Sequence, residues 1–393
     1  MARLPLHGIT VVAVEQAVAA PFATRQLADL GARVIKIERP GTGDFARDYD
    51  TTVNGLSSHF VWLNRTKESV TLDLKRPESS LVLERLLERA DVFVQNLAPG
   101  ATTRLGLGSG DLRARHPRLV VCNVTGYGSS GSYADRKAYD LLIQSEVGML
   151  AVTGTNDTPC KVGVSVADIA AGMYAYSGIL TALLARKDTG TGTVVDVSLF
   201  DALGEWMGYP AYYTAYGGSQ PERTGARHAT IAPYGPYRTS DGAIGIAVQS
   251  HHEWIRFCTD VLRRPEIATD DRFQTNPLRA RNVDALTDVI DSIFAPLTST
   301  EVLSRLEATG LASARVNTVD EFVRHPQLAA ADCWRHVDSP VGPIKALRPP
   351  ARLEGVEPAM GAIPSLGQHS EAVLLELGFD RPTILLWKQS GVI

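Results

Sequence analysis

The chain has 393 residues, of which 44% are hydrophobic and 21% charged, the composition of an ordinary soluble globular protein with one or two domains. Its formal net charge is −4 and it carries no basic tract, so we expect no nucleic acid among its partners. No uninterrupted apolar run is long enough to cross a bilayer, so we expect no membrane partner and a cytoplasmic location. The four cysteines are far apart and form no CxxC pair, which argues against a zinc cluster or a disulfide framework.

Strands and helices alternate in the first third of the chain. Strands are predicted over 8–14, 32–38, 69–74, 91–96 and 119–128, and helices over 21–31, 77–90 and 111–115. The first strand is a continuous β-branched run, which is typical of a strand buried on both faces. The alternation predicts an α/β fold with a Rossmann-like parallel sheet and helices on both of its faces.

A helix with one apolar face follows a Gly/Ser-rich loop in the middle of the chain. Its apolar residues are spaced four, three, four and three apart, at Ile169, Met173, Tyr176, Leu180 and Leu183. A strand over 193–199 follows, and a Gly/Pro-rich stretch near 215 indicates a linker. We predict a large Rossmann-like domain over 1–215, a linker and small α+β domain over 216–330, and a return to the large domain over 331–393.

Common nucleotide and metal motifs are missing from the sequence. The turn after the first strand, EQAVAAP, has no GxGxxG, and the chain contains neither GxxxxGK[ST] nor HExxH. The Gly-rich stretches GTGD (41–44) and GYGSSG (126–131) are predicted to be plain turns. His251 and His252 have no acidic or cysteine partner at ligand spacing, so we expect a surface pair and no metal site.

One carboxylate, Asp168, stands among small and apolar residues in GVSVADIAAG (163–172), next to the predicted helix. Aspartate is a favourable N-cap, since its carboxylate accepts a hydrogen bond from a free backbone N–H of the first turn. The same position keeps a carboxylate ionised and aimed, and such a group in a partly dry cleft can attack an activated acyl group. The local sequence does not choose between a cap and a nucleophile.

Several stretches, in the same order along nearly the whole chain, resemble the class III (CaiB/BaiF-type) CoA-transferase family, which also contains the α-methylacyl-CoA racemases. They are PFATRQLADLGARVIKIERPGTGDFAR (21–47), LNRTKESVTLDLKRPES (63–79), ADVFVQNLAPGATTRLGLG (90–108), AYDLLIQSEVGML (138–150), VADIAAGMYAYSGILTALLARKDTGTGTVVDVSLFDA (166–202) and PSLGQHSEAVLLELG (364–378). The resemblance implies a Rossmann-like large domain, a smaller α+β domain and an interlocked homodimer. It implies no permanently bound cofactor and no metal, because coenzyme A and acyl-CoA are substrates.

The resemblance also implies a role for Asp168, as the nucleophile that attacks the donor acyl-CoA thioester. A mixed anhydride, an aspartyl-CoA thioester and a second anhydride would follow, with a small carboxylic acid as acceptor. A carboxylate with a reference pKa of about 4 is expected to be ionised at neutral pH.

Further positions follow from matching the family's motifs to this sequence. The residues implied to contact CoA are Arg39, Leu72, Leu74, Lys75, Asn96, Arg104, Lys137 and Tyr139. The candidates for contact with the substrate are Val18, Arg47 and Arg227, the two arginines as holders of a distal carboxylate. A C4 or C5 dicarboxylate is the acceptor class suggested by the family's range.

Three further functions stay open at this level. The racemases pair their aspartate with a histidine in a GHD-like motif, where this chain has AYD with Tyr139, which argues for transfer over racemisation. The run of glycines that closes over the aspartate in some transferases is absent from 222–235. A CoA-binding protein without catalysis and a nucleotide-dependent enzyme on the same sheet also stay open, and the missing GxGxxG counts against the second.

Overall fold

The computed structural model describes residues 3–393, so the first two residues of the predicted large domain lie outside the described part of the chain. The strands are β1 (Thr10–Val14), β2 (Arg33–Glu38), β3 (Lys67–Thr71), β4 (Val92–Gln95), β5 (Val120–Thr125), β6 (Val194–Ser198), β7 (Tyr234–Thr239), β8 (Gly242–Ala247), β9 (Ala312–Arg315), β10 (Trp334–Val337) and β11 (Ile344–Leu347). The α-helices are α1 (Ala19–Asp29), α2 (Ser58–Leu63), α3 (Pro77–Leu87), α4 (Ala101–Arg104), α5 (Ser109–Arg115), α6 (Asp140–Glu146), α7 (Met149–Val152), α8 (Val166–Thr189), α9 (Leu199–Trp206), α10 (Gly208–Gly217), α11 (His251–Arg256), α12 (Asn276–Arg281), α13 (Val283–Phe294), α14 (Ser299–Thr309), α15 (Val319–Val323), α16 (Pro326–Ala330), α17 (Ser370–Glu376) and α18 (Arg381–Gln389). Short 3₁₀ turns cover Phe45–Asp48 and Pro265–Thr269, and Phe257–Val261 forms a π-helical turn.

The central sheet is parallel, with the strand order β3-β2-β1-β4-β5-β6, and it confirms the predicted α/β class. In its middle Val12 lies between Ile35 and Phe93, and these apolar side chains are excluded from solvent because helices cover both faces. After β1 the chain adds β2 and β3 on one side of that strand, and then crosses over to add β4 on its other side. The carboxyl ends of β1 and β4 therefore flank the crevice in which open α/β sheets bind ligands.

The third strand is displaced from its prediction of 69–74 to Lys67–Thr71. The chain turns at Asp73, whose backbone carbonyl accepts hydrogen bonds from Arg76 N at 2.9 Å and Ser79 Oγ at 2.6 Å. This turn leads directly into α3, so the residues after Thr71 form a loop at the carboxyl edge of the sheet.

The long helix α8 is placed by its packing on α1. Gly172 faces the first turn of α1 so closely that a Cβ there would lie 2.6 Å from the Ala19 backbone oxygen. Because α8 leads into the parallel strand β6, its own direction opposes that of the strands. Its amino-terminal end, which carries Asp168, therefore lies at the carboxyl edge of the sheet.

By length and mean hydropathy, 1.3, α8 alone among helices of residues 3–393 meets the requirement for a membrane-spanning helix. Half of that stretch is buried inside the structure, where α8 packs against α1, β5 and β6. The core helix of a soluble protein meets the same requirement, so the property is weak support for a membrane span.

The chain divides into two compact units. The first contains the residues up to Val147, Val162–Gly208 and Ala331–Ile393, and the second contains Gly148–Lys161 and Tyr209–Ala330. In the first unit the C-terminal segment returns to the sheet, where Ser370 Oγ accepts a hydrogen bond from Thr71 N at 2.9 Å.

The second unit has its own antiparallel sheet, β7-β8-β9. A separate apolar core includes the fully buried rings of Trp254, Phe257 and Phe294.

Candidate active site

A cavity of about 620 Å³ opens at the carboxyl ends of β1, β2, β3 and β4, within the first unit. Among the residues that line it are Arg39, Leu72, Leu74, Lys75 and Arg104, which the family resemblance assigns to CoA contact. They come from three separate loops, those after β2, β3 and β4, and the topology brings them to one place. A depression of about 420 Å³ between Leu30 and the 348–358 segment lies away from the strand ends and from these residues.

The cavity presents three cations. Arg39 follows β2, Lys75 follows β3 and Arg104 ends α4, and each is solvent-exposed. No ion pair to any of them is found among the described residues, so their charges remain available to an anion. Scattered surface cations would not share a cavity, and this convergence supports a polyanionic ligand such as the phosphates of CoA.

The turn after β1 is held by side chains from two other loops. Asn96 Oδ1 accepts from Gln16 N and Asn96 Nδ2 donates to Gln16 O, both at 2.8 Å. Ala17 adopts φ +61, a left-handed conformation that strains a residue with a Cβ, and its N–H donates to Asp44 Oδ1 at 3.0 Å. The side chain of Asn96 thus fixes the turn, and the buried Val18 is the N-cap residue of α1 directly after it.

Six charged side chains form a buried ion cluster beneath this turn and cavity. Its members are the carboxylates Glu15, Glu38 and Asp44 and the cations Lys36, Lys67 and Arg47. Lys36 Nζ lies 2.8 Å from Asp44 and 3.5 Å from Glu15, and all three side chains are excluded from solvent. The cluster balances three negative against three positive charges, as buried charges require.

Arg47 belongs to this buried ion cluster. Its Nε and Nη2 donate to the Glu38 carboxylate at 2.8 and 2.7 Å, and its guanidinium lies 3.7 Å from the centre of the Phe60 ring. Burial alone would raise the pKa of Glu38, but the hydrogen bonds and charges of Arg47 and Lys36 lower it to about 2. The fork of Arg47 is therefore occupied within the chain instead of being presented to a second carboxylate.

Asp168, for which the local sequence left a cap and a nucleophile open, is not the cap of α8. Helix α8 begins at Val166 with Ser165 as its N-cap residue, and Asp168 lies in the first turn. The free N–H groups of that turn are satisfied from α6, where Asp140 Oδ1 accepts from Ala167 N at 2.7 Å and from Asp168 N at 3.4 Å. Within residues 3–393 no hydrogen bond to the Asp168 carboxylate is found, so its oxygens remain available for reaction.

The surroundings of Asp168 also correct its expected ionisation. Burial, and then the nearby negative charge of Asp140, raise its pKa to about 7, because both disfavour the charged form. A larger share of this carboxylate is therefore protonated at neutral pH than its reference pKa implies. A carboxylate with such a pKa is a stronger base and nucleophile, in its ionised form, than an exposed one.

Tyr49 is a further residue beside Asp168. Burial, and then the charges of Asp44 and Asp168, raise the pKa of Tyr49 to about 12, so its hydroxyl is a hydrogen-bond donor at neutral pH. The exposed Tyr139, at the N-cap position of α6, also raises the pKa of Tyr49, so the two tyrosines and Asp168 lie near one another.

Sequence reasoning missed Tyr49, Asp140 and Gln144. The only signal for Asp140 was its place in AYD (138–140), directly after the tyrosine. Lys137 is exposed in the loop before α6. Arg227 lies in the second unit, where it pairs with Asp284 at 2.9 Å. No group of three or more metal-ligating side chains is found in the part of the chain that the structure describes.

Comparisons with known proteins agree over nearly the whole chain. The profile of CoA-transferase family III matches residues 6–370. The succinyl-CoA:glutarate CoA-transferase of Mus musculus is 32% identical over 99% of this chain and 90% of its own length, and the succinate–glutarate CoA-transferase of Agrobacterium fabrum is 32% identical over 95% and 96%. A crystal structure of a CaiB/BaiF family protein from Brucella suis matches with a TM-score of 0.85 at 33% identity, covering 96% of this chain and all of the other. The chain therefore belongs to CoA-transferase family III, the CaiB/BaiF family, and is a class III CoA-transferase.

Proposed function

We propose that this enzyme transfers CoA from an acyl-CoA donor to a free C4 or C5 dicarboxylic acid, with Asp168 as the nucleophile. The observation that carries the proposal is a partly buried carboxylate at the same sheet edge as a cavity with three cations; among the described residues the carboxylate has no hydrogen-bond partner and the cations have no ion pair. The relatives named above act, by their names, on succinyl-CoA or succinate and on glutarate, which supports a dicarboxylate acceptor.

The cavity residues hold the CoA portion of the donor. Arg39, Lys75 and Arg104 bind its phosphates by charge-assisted hydrogen bonds, and Leu72 and Leu74 contact its apolar parts. The fixed turn at Gln16 and Ala17 lies between the cavity and α1, so it lines the route from the CoA site toward Asp168. Tyr49, as a donor beside Asp168, stabilises the negative charge that develops there.

The reaction conserves the high-energy acyl bond through four exchanges. An Asp168 oxygen attacks the thioester carbon, the C–S bond breaks and CoA thiolate leaves, which gives a mixed anhydride. The thiolate then attacks the aspartyl carbonyl carbon and expels the donor acid, which gives an aspartyl-CoA thioester. The acceptor carboxylate attacks the thioester carbon and expels CoA thiolate, which gives a second anhydride. The thiolate then attacks the acceptor acyl carbon of this anhydride and releases the Asp168 carboxylate.

The test is a panel of acyl-CoA donors and free mono- and dicarboxylic acids, assayed with wild type, Asp168→Ala and Asp188→Ala. Asp188 is exposed near the other end of the same helix, so its substitution controls for a general effect on α8. We expect Asp168→Ala to lose at least about 10³-fold in kcat and Asp188→Ala to behave as wild type. Full activity of Asp168→Ala would overturn the proposed mechanism.

Two further measurements separate transfer from racemisation and from binding alone. Borohydride added during turnover reduces an aspartyl thioester, so a donor-dependent modification of Asp168 is expected by mass spectrometry. Exchange of the α-proton of the acyl group into deuterated water without acyl transfer would favour a racemase instead. Binding of acyl-CoA without any turnover across the panel would favour a CoA-binding protein.

Assembly and location belong to the same proposal. We infer an interlocked homodimer in the cytoplasm without a permanently bound cofactor, from the family resemblance. Sedimentation velocity of the purified enzyme over a hundredfold concentration range is expected to give a dimer throughout, and a concentration-independent monomer would contradict it.

A further inference from the structure

The first turn of α8 is held from a neighbouring helix by a carboxylate. Asp140, the first residue of α6, accepts hydrogen bonds from the backbone N–H groups of Ala167 and Asp168 at 2.7 and 3.4 Å. The residue in the usual capping position, Ser165, makes no side-chain cap. The positive end of the α8 dipole therefore faces Asp140 as well as Asp168, so two carboxylates share one helix terminus.

Asp140 is itself fixed in place. Its Oδ2 accepts a hydrogen bond from Gln144 Nε2 at 2.7 Å, one turn further along α6. Gln144 is fully buried, and its Oε1 accepts from Val162 N at 2.9 Å. The side chain of Asp140 thus has partners on both oxygens, whereas Asp168, 28 residues further along the chain, has none among residues 3–393.

We propose that Asp140 is a positioning residue of the transfer reaction, which fixes the turn that carries Asp168 and sets the charge against which Asp168 reacts. The proposal rests on the proposed function of Asp168 and adds to it a second carboxylate that never bonds to substrate. The ionisable groups that interact electrostatically around Asp168 are Asp140 from α6, Tyr139 before it, and Tyr49 from the segment after β2. Asp44 acts on the same Tyr49 from the buried ion cluster.

The chemical consequence concerns the first anhydride, which CoA thiolate can attack at two carbons. Attack on the donor acyl carbon breaks its bond to the Asp168 oxygen and returns Asp168 as a carboxylate, which reverses the first step. Attack on the aspartyl carbon breaks the other C–O bond and releases the donor acid as a carboxylate. Since Asp140 raises the cost of the anion on Asp168, it makes Asp168 the poorer leaving group and favours the forward step.

The test uses Asp140→Asn, which keeps an acceptor for the α8 N–H groups and removes the charge. The matched control is Glu146→Gln, the same acid-to-amide change at an exposed position of α6. With the best donor and acceptor pair, kcat/KM is measured against pH for both variants and wild type. Wild type is expected to show an acidic limb near pH 7, Asp140→Asn a limb lower by about one pH unit, and Glu146→Gln no change.

A double variant separates the charge from the hydrogen bonds. The amide at position 140 can present a donor to Gln144, whose Nε2 is also a donor, so Asp140→Asn alone can disturb the packing. Asp140→Asn/Gln144→Glu restores an acceptor opposite that amide and keeps one for Val162 N, while moving the charge from position 140, which bonds the α8 backbone, to position 144. Its acidic limb is expected between those of wild type and Asp140→Asn, with thermal stability at or above that of the single variant.

The outcomes distinguish this proposal from the proposed function. An inactive Asp168→Ala together with a wild-type pH profile in a folded Asp140→Asn enzyme would overturn the role of Asp140 alone. An active Asp168→Ala enzyme would overturn both. A loss of thermal stability in Asp140→Asn without a shift of the acidic limb would mean that Asp140 is only a structural cap.

Discussion

Two groups of carboxylates lie at the same edge of the sheet, one buried and one partly buried, and their surroundings differ in the sign of the neighbouring charge. In the buried ion cluster every carboxylate has a cation within hydrogen-bond distance, as Glu15 has Lys67 at 2.7 Å and Glu38 has Arg47 at 2.7 Å. At the start of α8, Asp168 has another carboxylate, Asp140, as its charged neighbour. The paired carboxylates of the ion cluster keep their charge because a cation compensates it. Asp168 has no such cation, so its charge is available for reaction.

The difference shows in the direction in which each environment moves the pKa. The pKa of Glu15 is lowered although burial opposes this, because Lys67 and Lys36 stabilise its charged form. The pKa of Asp168 is raised to about 7, since burial is reinforced by Asp140. The first carboxylate therefore stabilises the folded state at neutral pH, whereas the second destabilises it.

The largest expected effect comes from breaking the paired group. Lys36→Met removes the cation that contacts both Asp44 and Glu15 and leaves buried negative charge without compensation. The free energy of unfolding is expected to fall by about 3–5 kcal/mol, measured by urea denaturation at pH 7. Arg381→Met, which breaks an exposed pair with Glu371, is the control and is expected to cost less than about 1 kcal/mol.

Removing the charge of Asp168, which has no cationic partner, is expected to raise the free energy of unfolding instead of lowering it. Asp168 titrates near 3.8 when unfolded and near 7 when folded, so the folded state binds more protons between these values. Its contribution to stability therefore falls as pH rises from about 4 to about 7 and is constant above that range. Asp168→Asn is expected to raise the free energy of unfolding by up to about 4 kcal/mol at pH 8, and by much less at pH 4.5.

Urea denaturation of wild type, Asp168→Asn and Asp188→Asn at the two pH values measures this effect. A stabilisation by Asp168→Asn that is equal at pH 8 and pH 4.5 would show that lost charge is not its cause. The same variant is expected to be inactive, so one substitution would raise the free energy of unfolding and abolish activity.

The smallest expected effect concerns a third group of charges, the exposed cations of the cavity, which have no ion pair among the described residues. Arg104→Ala removes one of three cations and is expected to raise KM for the acyl-CoA donor about tenfold with little change in kcat. Arg113→Ala, an exposed arginine of α5 that does not line the cavity, is the control. A KM unchanged in Arg104→Ala would place the CoA phosphates elsewhere.

The sequence by itself determined the layout of the first unit. The β-branched runs depend on neighbours a few positions away, so the strands around Val12, Val34 and Val121 were predictable from local pattern. The order of the family motifs along the chain singled out Asp168 in the same way. The predicted apolar face of α8 was wrong, because only Leu183 of its five residues is buried and the helix packs through small residues such as Ala171, Gly172 and Ala175. The early end of β3 was not visible, because Asp73 accepts its bonds only after the turn has formed.

The tertiary structure alone decided what these residues are able to do. Asp140 reaches the α8 backbone across 27 positions of sequence and satisfies the N–H group that a cap would have bonded. Burial, and then the charge of Asp140, raise the pKa of Asp168. Folding engaged Arg47 with Glu38 and turned Asn96 toward the backbone of Gln16, whereas it left Arg104 unpaired at the cavity. Protonation and availability depend on burial and on charges brought together by folding, and no local pattern in the sequence encodes those distances.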